Sequence, residues 1–416
     1  MVSTPVGGVE RRGQAWVGDM SPSWSLWAAS GASTITRTSG DGPMHSRARP
    51  LSDSVGPEAA DIFATRETTG ALAQAAAAGR RRHGLQGAAR MMAHVMFDPQ
   101  PSGASRRMRI GLGLAAIGRP GYINLGRDRD LGAARSVEDL RRRAFDVLDA
   151  AWAAGIRYLD AARSYGLAES FLADWLRARS VASDDVVVGS KWGYTYTAEW
   201  AVGADVNEAK DHSLSTLRRQ LPQSRALLGP WLRLYQVHSA TLESGVLEDR
   251  DVVRALGAAR DDGLAIGFSV SGPGQAETIR RALDVRVDGA PLFGAVQATW
   301  NVLEPSAGAA LQEAHDAGLA VIVKEALANG RALEGTAAAA LASIVQGATA
   351  DAVAIAAALA QPWATVVLSG AVTPAQLTSN LAADAIRLNS DQLQRLTALV
   401  EDPVAYWATR SRLVWS

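Results

Sequence analysis

From residue 108 onward one pattern recurs eight times: a short β-branched or apolar run, then an amphipathic stretch rich in Ala and Arg. The runs fall at 108–114, 157–161, 186–190, 233–237, 265–269, 294–298, 320–323 and 364–368. Strands buried on both faces read as continuous apolar runs, whereas amphipathic helices show a 3.6-residue period. That period marks helices over Val137 to Ala154, Glu169 to Ala178, Glu208 to Leu221, Val252 to Asp262, Gln275 to Leu283 and Gly308 to Gly318. The Ala-rich interval from Asn329 to Gln361 is expected to hold a loop and the seventh helix, and Ser390 to Val400 an extra helix after the eighth repeat. Eight strands alternating with helices predict an α/β chain closed into a (β/α)8 TIM barrel over 108–416.

The first 107 residues are of another kind. Ser, Thr, Gly and Arg dominate, an Ala tract at Ala75 to Ala78 runs into Arg80-Arg81-Arg82, and no apolar period persists. The segment reads either as disordered chain or as an overlong start, with Met91, Met92, Met96 or Met108 the true first residue. All seven methionines lie at or before Met108. Arg11-Arg12 lacks the apolar stretch that an export signal needs.

Charge narrows the partners. Forty-two basic residues balance 42 acidic ones, which leaves no global field to gather nucleic acid or a membrane surface, so neither is expected as a partner. The absence of cysteine removes disulfides and thiolate chemistry, and fits the cytoplasm. The six histidines, at 45, 83, 94, 212, 238 and 315, show no metal-ligand spacing, and no metal is expected. Only three of the basic residues are Lys, at 191, 210 and 324, so position matters when one appears.

In such a barrel, reactive groups stand at the carboxyl ends of the strands. The second run ends in Asp160, with Tyr165 five residues later at a Gly turn; the third ends in Lys191; the fourth ends in His238. Taken singly, Asp160 reads equally as a helix cap, Tyr165 as a rim aromatic and His238 as a structural residue. Together they answer a chemical need, because reducing a carbonyl requires a proton at oxygen while hydride reaches carbon. A phenol is a weak acid near neutrality, and a neighbouring ammonium would lower its pKa, with Asp160 holding that ammonium in place. His238 would orient the carbonyl oxygen.

The stretch Gly155-Ile-Arg-Tyr-Leu-Asp160-Ala-Ala-Arg-Ser-Tyr165-Gly-Leu-Ala-Glu169 resembles the aldo-keto reductase signature. The resemblance implies that Tyr165 is the general acid, that Lys191 and Asp160 tune it, and that His238 orients a small carbonyl or alcohol substrate. It further implies a nicotinamide cofactor held by Ser269, Gln297, Lys324, Leu327, Gly370, Gln376 and Asn380, with NADP(H) expected ahead of NAD(H). Departures from the family pattern are Val270 where Asn or Arg is usual, Lys324 where an aromatic usually stacks, and Gln376 where many members carry Arg. Two other readings keep the barrel: a redox-responsive binding module with little turnover, and a Schiff-base lyase using Lys191 or Lys324. The run Gly111-Leu-Gly113-Leu-Ala-Ala116 fits a loose dinucleotide fingerprint, but Gly118, Pro120 and Gly121 leave no helix to follow it, so it reads as a strand-end turn. The loop from Gly118 to Gly132 is a candidate roof for the pocket. Trp192, Tyr194, Tyr196 and Trp300 are candidate lining, and Tyr406, Trp407 and Trp415 a candidate C-terminal cover. Oligomeric state is left open.

Overall fold

The structure is a computed structural model that describes residues 108–202 and 204–415. Expectations for residues 1–107 lie outside the described residues. Eight parallel strands form a closed barrel: β1 (Ile110–Gly113), β2 (Tyr158–Asp160), β3 (Val187–Trp192), β4 (Leu232–Ala240), β5 (Ala265–Val270), β6 (Ala295–Thr299), β7 (Ala320–Lys324) and β8 (Val366–Ser369). Each strand pairs with its neighbours in sequence, and the ring closes where Ile110, Gly111 and Leu112 of β1 meet Val367, Leu368 and Ser369 of β8. All eight apolar runs of the sequence form these strands.

The connecting helices are α1 (Val137–Ala153), α2 (Ala168–Ala178), α3 (Leu214–Leu228), α4 (Arg250–Asp261), α5 (Gln275–Leu283) and α6 (Gly308–Asp316). The seventh connection holds two, α7 (Gly335–Ile344) and α8 (Ala350–Leu359), and α9 (Pro374–Leu381) follows β8. The chain ends with α10 (Ser390–Leu396) and α11 (Pro403–Ser411). In α1 the Ser136 side chain caps the first turn by accepting from the Asp139 N–H, and Glu138 and Asp139 face the positive end of the helix dipole. Leu140, Ala144, Val147, Leu148 and Ala151 form its buried stripe against the barrel. Truncating Leu148 to Ala would cost about 2–5 kcal/mol.

One helical expectation needs correction, and one helix was not foreseen. Glu208–Lys210 does not open a helix but pairs antiparallel with Tyr194–Tyr196 in a hairpin over the barrel mouth. Helix α3 starts later, at Leu214, where the Ser213 hydroxyl caps the Thr216 N–H, and it runs on to Leu228. Helix α11, which the sequence pattern did not reveal, buries Tyr406 and Trp407 in an outer apolar cluster with Leu303, Leu341 and Val353. The barrel interior is filled by Tyr158, Val187, Leu234, Ile322 and Leu368 from β2, β3, β4, β7 and β8, a packed core rather than a pore. No helix among the described residues is long and apolar enough to cross a membrane.

Candidate active site

The Asp160 carboxylate, at the end of β2, is 2% exposed. Its Oδ2 accepts from Lys191 Nζ. Its Oδ1 accepts from Gln297 Nε2 at 2.8 Å and from the Tyr158 hydroxyl at 3.2 Å. Tyr158 reaches it from inside the barrel because residue 189 is glycine: a Cβ there would lie 2.5 Å from the Tyr158 oxygen. The Lys191 ammonium also donates to the Ala161 carbonyl at 3.0 Å and stands 4.7 Å from the centre of the Tyr165 ring. A fully buried lysine and carboxylate so paired satisfy one another's charge.

Tyr165 is carried by a turn that two glycines permit. Gly166 adopts φ 58°, and a Cβ on it would fall 2.4 Å from the Gly118 carbonyl, which accepts from the Leu167 N–H at 2.7 Å. A Cβ on Gly118 would meet the Tyr165 carbonyl at 2.3 Å. The loop after β1 is thereby clamped onto the Tyr-Gly turn. Tyr165 packs edge-on against His238, ring centres 5.4 Å apart, and His238 Nδ1 lies 3.4 Å from Ser164 Oγ. Burial, with the Lys191 and Arg119 charges next, holds His238 well below the usual histidine range, so its ring is neutral near pH 7.

The Tyr165 phenol departs from the sequence expectation. Its pKa is raised well above the usual phenol value, by burial first and the Asp160 charge second, with the Arg119 charge opposing them. Sequence reasoning had given that part to Lys191 alone, but a desolvated phenol beside a carboxylate is held protonated. Arg119 is 1% exposed, with its guanidinium carbon 5.2 Å from the Tyr165 ring centre, 5.1 Å from that of Tyr122 and 4.7 Å from that of Trp415. It donates to the Ser164 carbonyl at 2.9 Å and pairs with Glu208 of the hairpin at 2.6 Å.

A cavity of about 660 Å³ opens beside this cluster. Asp160, Tyr165 and His238 line it, as do Gln297, Lys324, Leu327, Gly370, Gln376 and Asn380. The strand-end expectations are thus brought together on one space, with two qualifications. Lys191 lies behind Asp160, fully buried. Ser269 is also fully buried, and its hydroxyl accepts from the Ser239 N–H at 2.8 Å, which fixes the turn after His238 rather than facing the cavity. Of the other aromatic candidates Tyr194, Tyr122 and Trp415 line the cavity; Trp192, Tyr196, Trp300, Tyr406 and Trp407 do not. In the roof loop, Arg119 and Arg129 line it, whereas Arg127 is buried and donates to the carbonyls of Ala116, Arg119 and Pro120, holding the loop's shape.

At the end of β7, Lys324 donates to Thr299 Oγ1 at 2.6 Å, and burial pushes its ammonium down to about 8. Beside it Glu325 is clamped by Arg410 of α11, which with Lys324 holds that carboxyl down at about 2 against the opposing effect of burial. Beyond β8 the cavity continues to the outer helices. There Asn380 accepts from the Ser369 hydroxyl at 2.7 Å and donates to Asp351 at 2.7 Å, while Gln376 Oε1 accepts from the Val372 N–H at 3.0 Å. A dinucleotide would find an open acceptor and open space here: Asn329 Oδ1 is buried in the cavity wall with no hydrogen-bond partner, and a Cβ at Gly370 would meet nothing within 4 Å.

A family model described as the aldo/keto reductase family matches residues 110–401. Among solved structures, an aldo-keto reductase of Bacillus halodurans in its holo form is 18% identical, covers 70% of this chain and 92% of its own, and superposes with a TM-score of 0.53. A Pseudomonas aeruginosa protein assigned to the aldo-keto reductases is 22% identical over 69% of this chain and 96% of its own, with a TM-score of 0.48. A comparison with curated proteins finds no match. With the model covering every strand of the closed barrel and all four residues of the strand-end cluster, the chain belongs to the aldo/keto reductase family, oxidoreductases that use nicotinamide cofactors.

Proposed function

We propose that this protein interconverts a small carbonyl compound, an aldehyde, ketone or sugar lactol, and the corresponding alcohol or oxidised product. The observation that carries the reading is the buried Asp160–Lys191 pair set against Tyr165 and His238 at the edge of a cavity large enough for a dinucleotide and a small substrate. A bound nicotinamide supplies or takes the hydride. Tyr165, held protonated in the resting site, gives its phenolic proton to the carbonyl oxygen in reduction and takes one back in oxidation. As the proton leaves, Lys191 at 4.7 Å and Arg119 at 5.2 Å from the ring centre offset the charge that develops on it. Asp160 orients Lys191 through their buried ion pair. In the tautomer whose Nδ1 accepts from the Ser164 hydroxyl, the neutral His238 ring carries its proton on Nε2, where it would donate to the substrate oxygen. Gln297 and Lys324 lie where the nicotinamide end would rest, and Gly370, Gln376 and Asn380 where the adenosine end would.

The test is to follow nicotinamide absorbance with each reduced cofactor against a panel of aldehydes, ketones and aldoses, and with each oxidised cofactor against the matching alcohols. Turnover of a carbonyl or alcohol at a rate that depends on Tyr165 is the expected result. A protein that binds cofactor yet turns over nothing would support a binding module instead, and borohydride trapping of substrate on Lys324 would support a lyase.

A further inference from the structure

Resting on that nicotinamide reading, we propose that the site is built for NAD(H) rather than NADP(H), with the Asp351 carboxylate accepting from a hydroxyl of the adenosine ribose. The two cofactors differ by one group: a neutral 2′-hydroxyl that can donate to a carboxylate, or a 2′-phosphate that needs cations or several N–H donors. The adenosine end of the cavity supplies the first environment. Its lining from α7 outward includes Glu334, Asp351, Gln376, Ser379 and Asn380, and among the described residues no Lys or Arg of α8, β8 or α9 joins them.

Asp351 is set in place rather than loose. It stands in the first turn of α8, and its Oδ2 accepts from Asn380 Nδ2 at 2.7 Å. Asn380 is oriented in turn, because its Oδ1 accepts from the Ser369 hydroxyl at 2.7 Å. The carboxylate is thus held by the far side of the cavity wall, with its other oxygen left to accept from a ligand. Gln376, at the position that raised the question of a phosphate contact, spends its Oε1 on the Val372 N–H at 3.0 Å. A 2′-phosphate, carrying close to two negative charges, would face Asp351 and Glu334 with no cation on these elements to offset them.

The sequence-based expectation of NADP(H) came from the family resemblance, from which Gln376 already departs. It is reversed here because Asp351, in the first turn of α8, comes into the same wall through Asn380. Four cations line the cavity elsewhere. Arg119, Lys324 and Arg410 surround the Tyr165 cluster, and Arg129, exposed on the roof loop, lays its guanidinium back over Gly126, where a Cβ would meet Nη2 at 2.9 Å. Among the described residues, Arg129 is the cavity cation outside the Tyr165 cluster that a 2′-phosphate would have to recruit.

The experiment titrates the full chain with NADH and with NADPH by nicotinamide fluorescence, and repeats it for Asp351→Asn, Gln376→Arg and Arg129→Ala. The wild type is expected to bind NADH at least about tenfold more tightly. Asp351→Asn should shrink that ratio by about tenfold, mainly by weakening NADH, and Gln376→Arg should shrink it by strengthening NADPH. Gln376 is part-exposed, so its variant gives an independent reading should Asp351→Asn fold poorly by circular dichroism. Equal or tighter NADPH binding by the wild type would overturn the proposal, as would a ratio unmoved by both substitutions or a selective loss of NADPH in Arg129→Ala. Failure of the wild type to bind either cofactor would sink the nicotinamide reading itself, and the preference with it.

Discussion

The Lys191 ammonium is bound on two sides, by Asp160 and by the Ala161 carbonyl at 3.0 Å, and faces the Tyr165 ring on a third. A guanidinium has a longer reach and a planar fork, so it cannot make all three contacts without moving one partner. We therefore expect carbonyl reduction to fall in the order wild type, Lys191→Arg, Lys191→Met, with the pH profile displaced in the Arg variant. In the Met variant Asp160 keeps only Gln297 and Tyr158 as donors, and an uncompensated buried carboxylate costs about 3–5 kcal/mol. An Arg variant with unchanged rate and unchanged pH profile would remove Lys191 from the proton-handling group. For Tyr165→Phe the ring and its packing on His238 remain, so cofactor affinity should stay within a few-fold while turnover drops by roughly 10² or more, the scale of a lost general acid. Stopped-flow measurement of hydride transfer separates that effect from product release. A Phe variant as fast as the wild type would assign the acid elsewhere.

Helix α11 reaches the site wall through Arg410, which forms an ion pair with Glu325. Arg410 grips Glu325, which sits in the left-handed region at φ 56° directly after β7, and the two side chains are 20% and 7% exposed. Arg410→Ala strands that carboxylate beside Thr299 and should destabilise the fold by about 3–5 kcal/mol in urea denaturation, whereas replacing both Arg410 and Glu325 by neutral residues should recover much of the loss. A single variant as stable as the wild type would show that α11 is held by Tyr406 and Trp407 alone. The element scale is also where the sequence was most and least informative. Strands buried on both faces are continuous apolar runs, so all eight were legible, and with them Asp160, Lys191 and His238 at their ends. Glu208–Lys210 was misread because its three residues favour helix and only their pairing with Tyr194–Tyr196, across an intervening loop, makes them a strand. The Arg119–Glu208 pair was invisible for the same reason: 89 residues separate partners brought together by two loops. Arg119 stands in the loop read as a roof, but nothing local announces that it lies against Tyr165.

At the scale of the whole molecule, buried titratable groups make the fold sensitive to acid. Burial lowers His212 to about 4, and its Nε2 bonds the His238 carbonyl at 2.8 Å. Since the unfolded chain takes up that proton near pH 6.5, stability is lost as pH falls from about 6.5 towards 4. Glu325, depressed to about 2, loses its contribution lower still, between about 4.5 and 2. Lys324 acts at the other end: lowered to about 8, it is disfavoured in its charged form, so stability rises with pH between about 8 and 10.5. Thermal melts across pH should show the slope between pH 6.5 and 4 flattened in His212→Gln; an unchanged slope would locate the acid sensitivity elsewhere.

The last prediction follows from how the barrel closes. Its first strand begins at Ile110, and β1 completes the ring by pairing with β8 on one side and β2 on the other. The residue before it, Arg109, is already engaged, donating to the Leu359 carbonyl at 3.0 Å at the end of α8. The closed barrel, the strand-end cluster and the cavity are built from residues after 108, and the matched family model begins at residue 110, which motivates testing a chain of residues 108–416 by itself. We expect that truncated protein to match the full chain in far-ultraviolet circular dichroism, in melting temperature and in affinity for the preferred reduced cofactor. Moving the start to residue 114, by contrast, removes β1, leaves the β2 and β8 edges unpaired and should abolish cooperative melting. A 108–416 chain that is insoluble, or that melts well below the full-length protein, would show that residues 1–107 contribute to the barrel's stability.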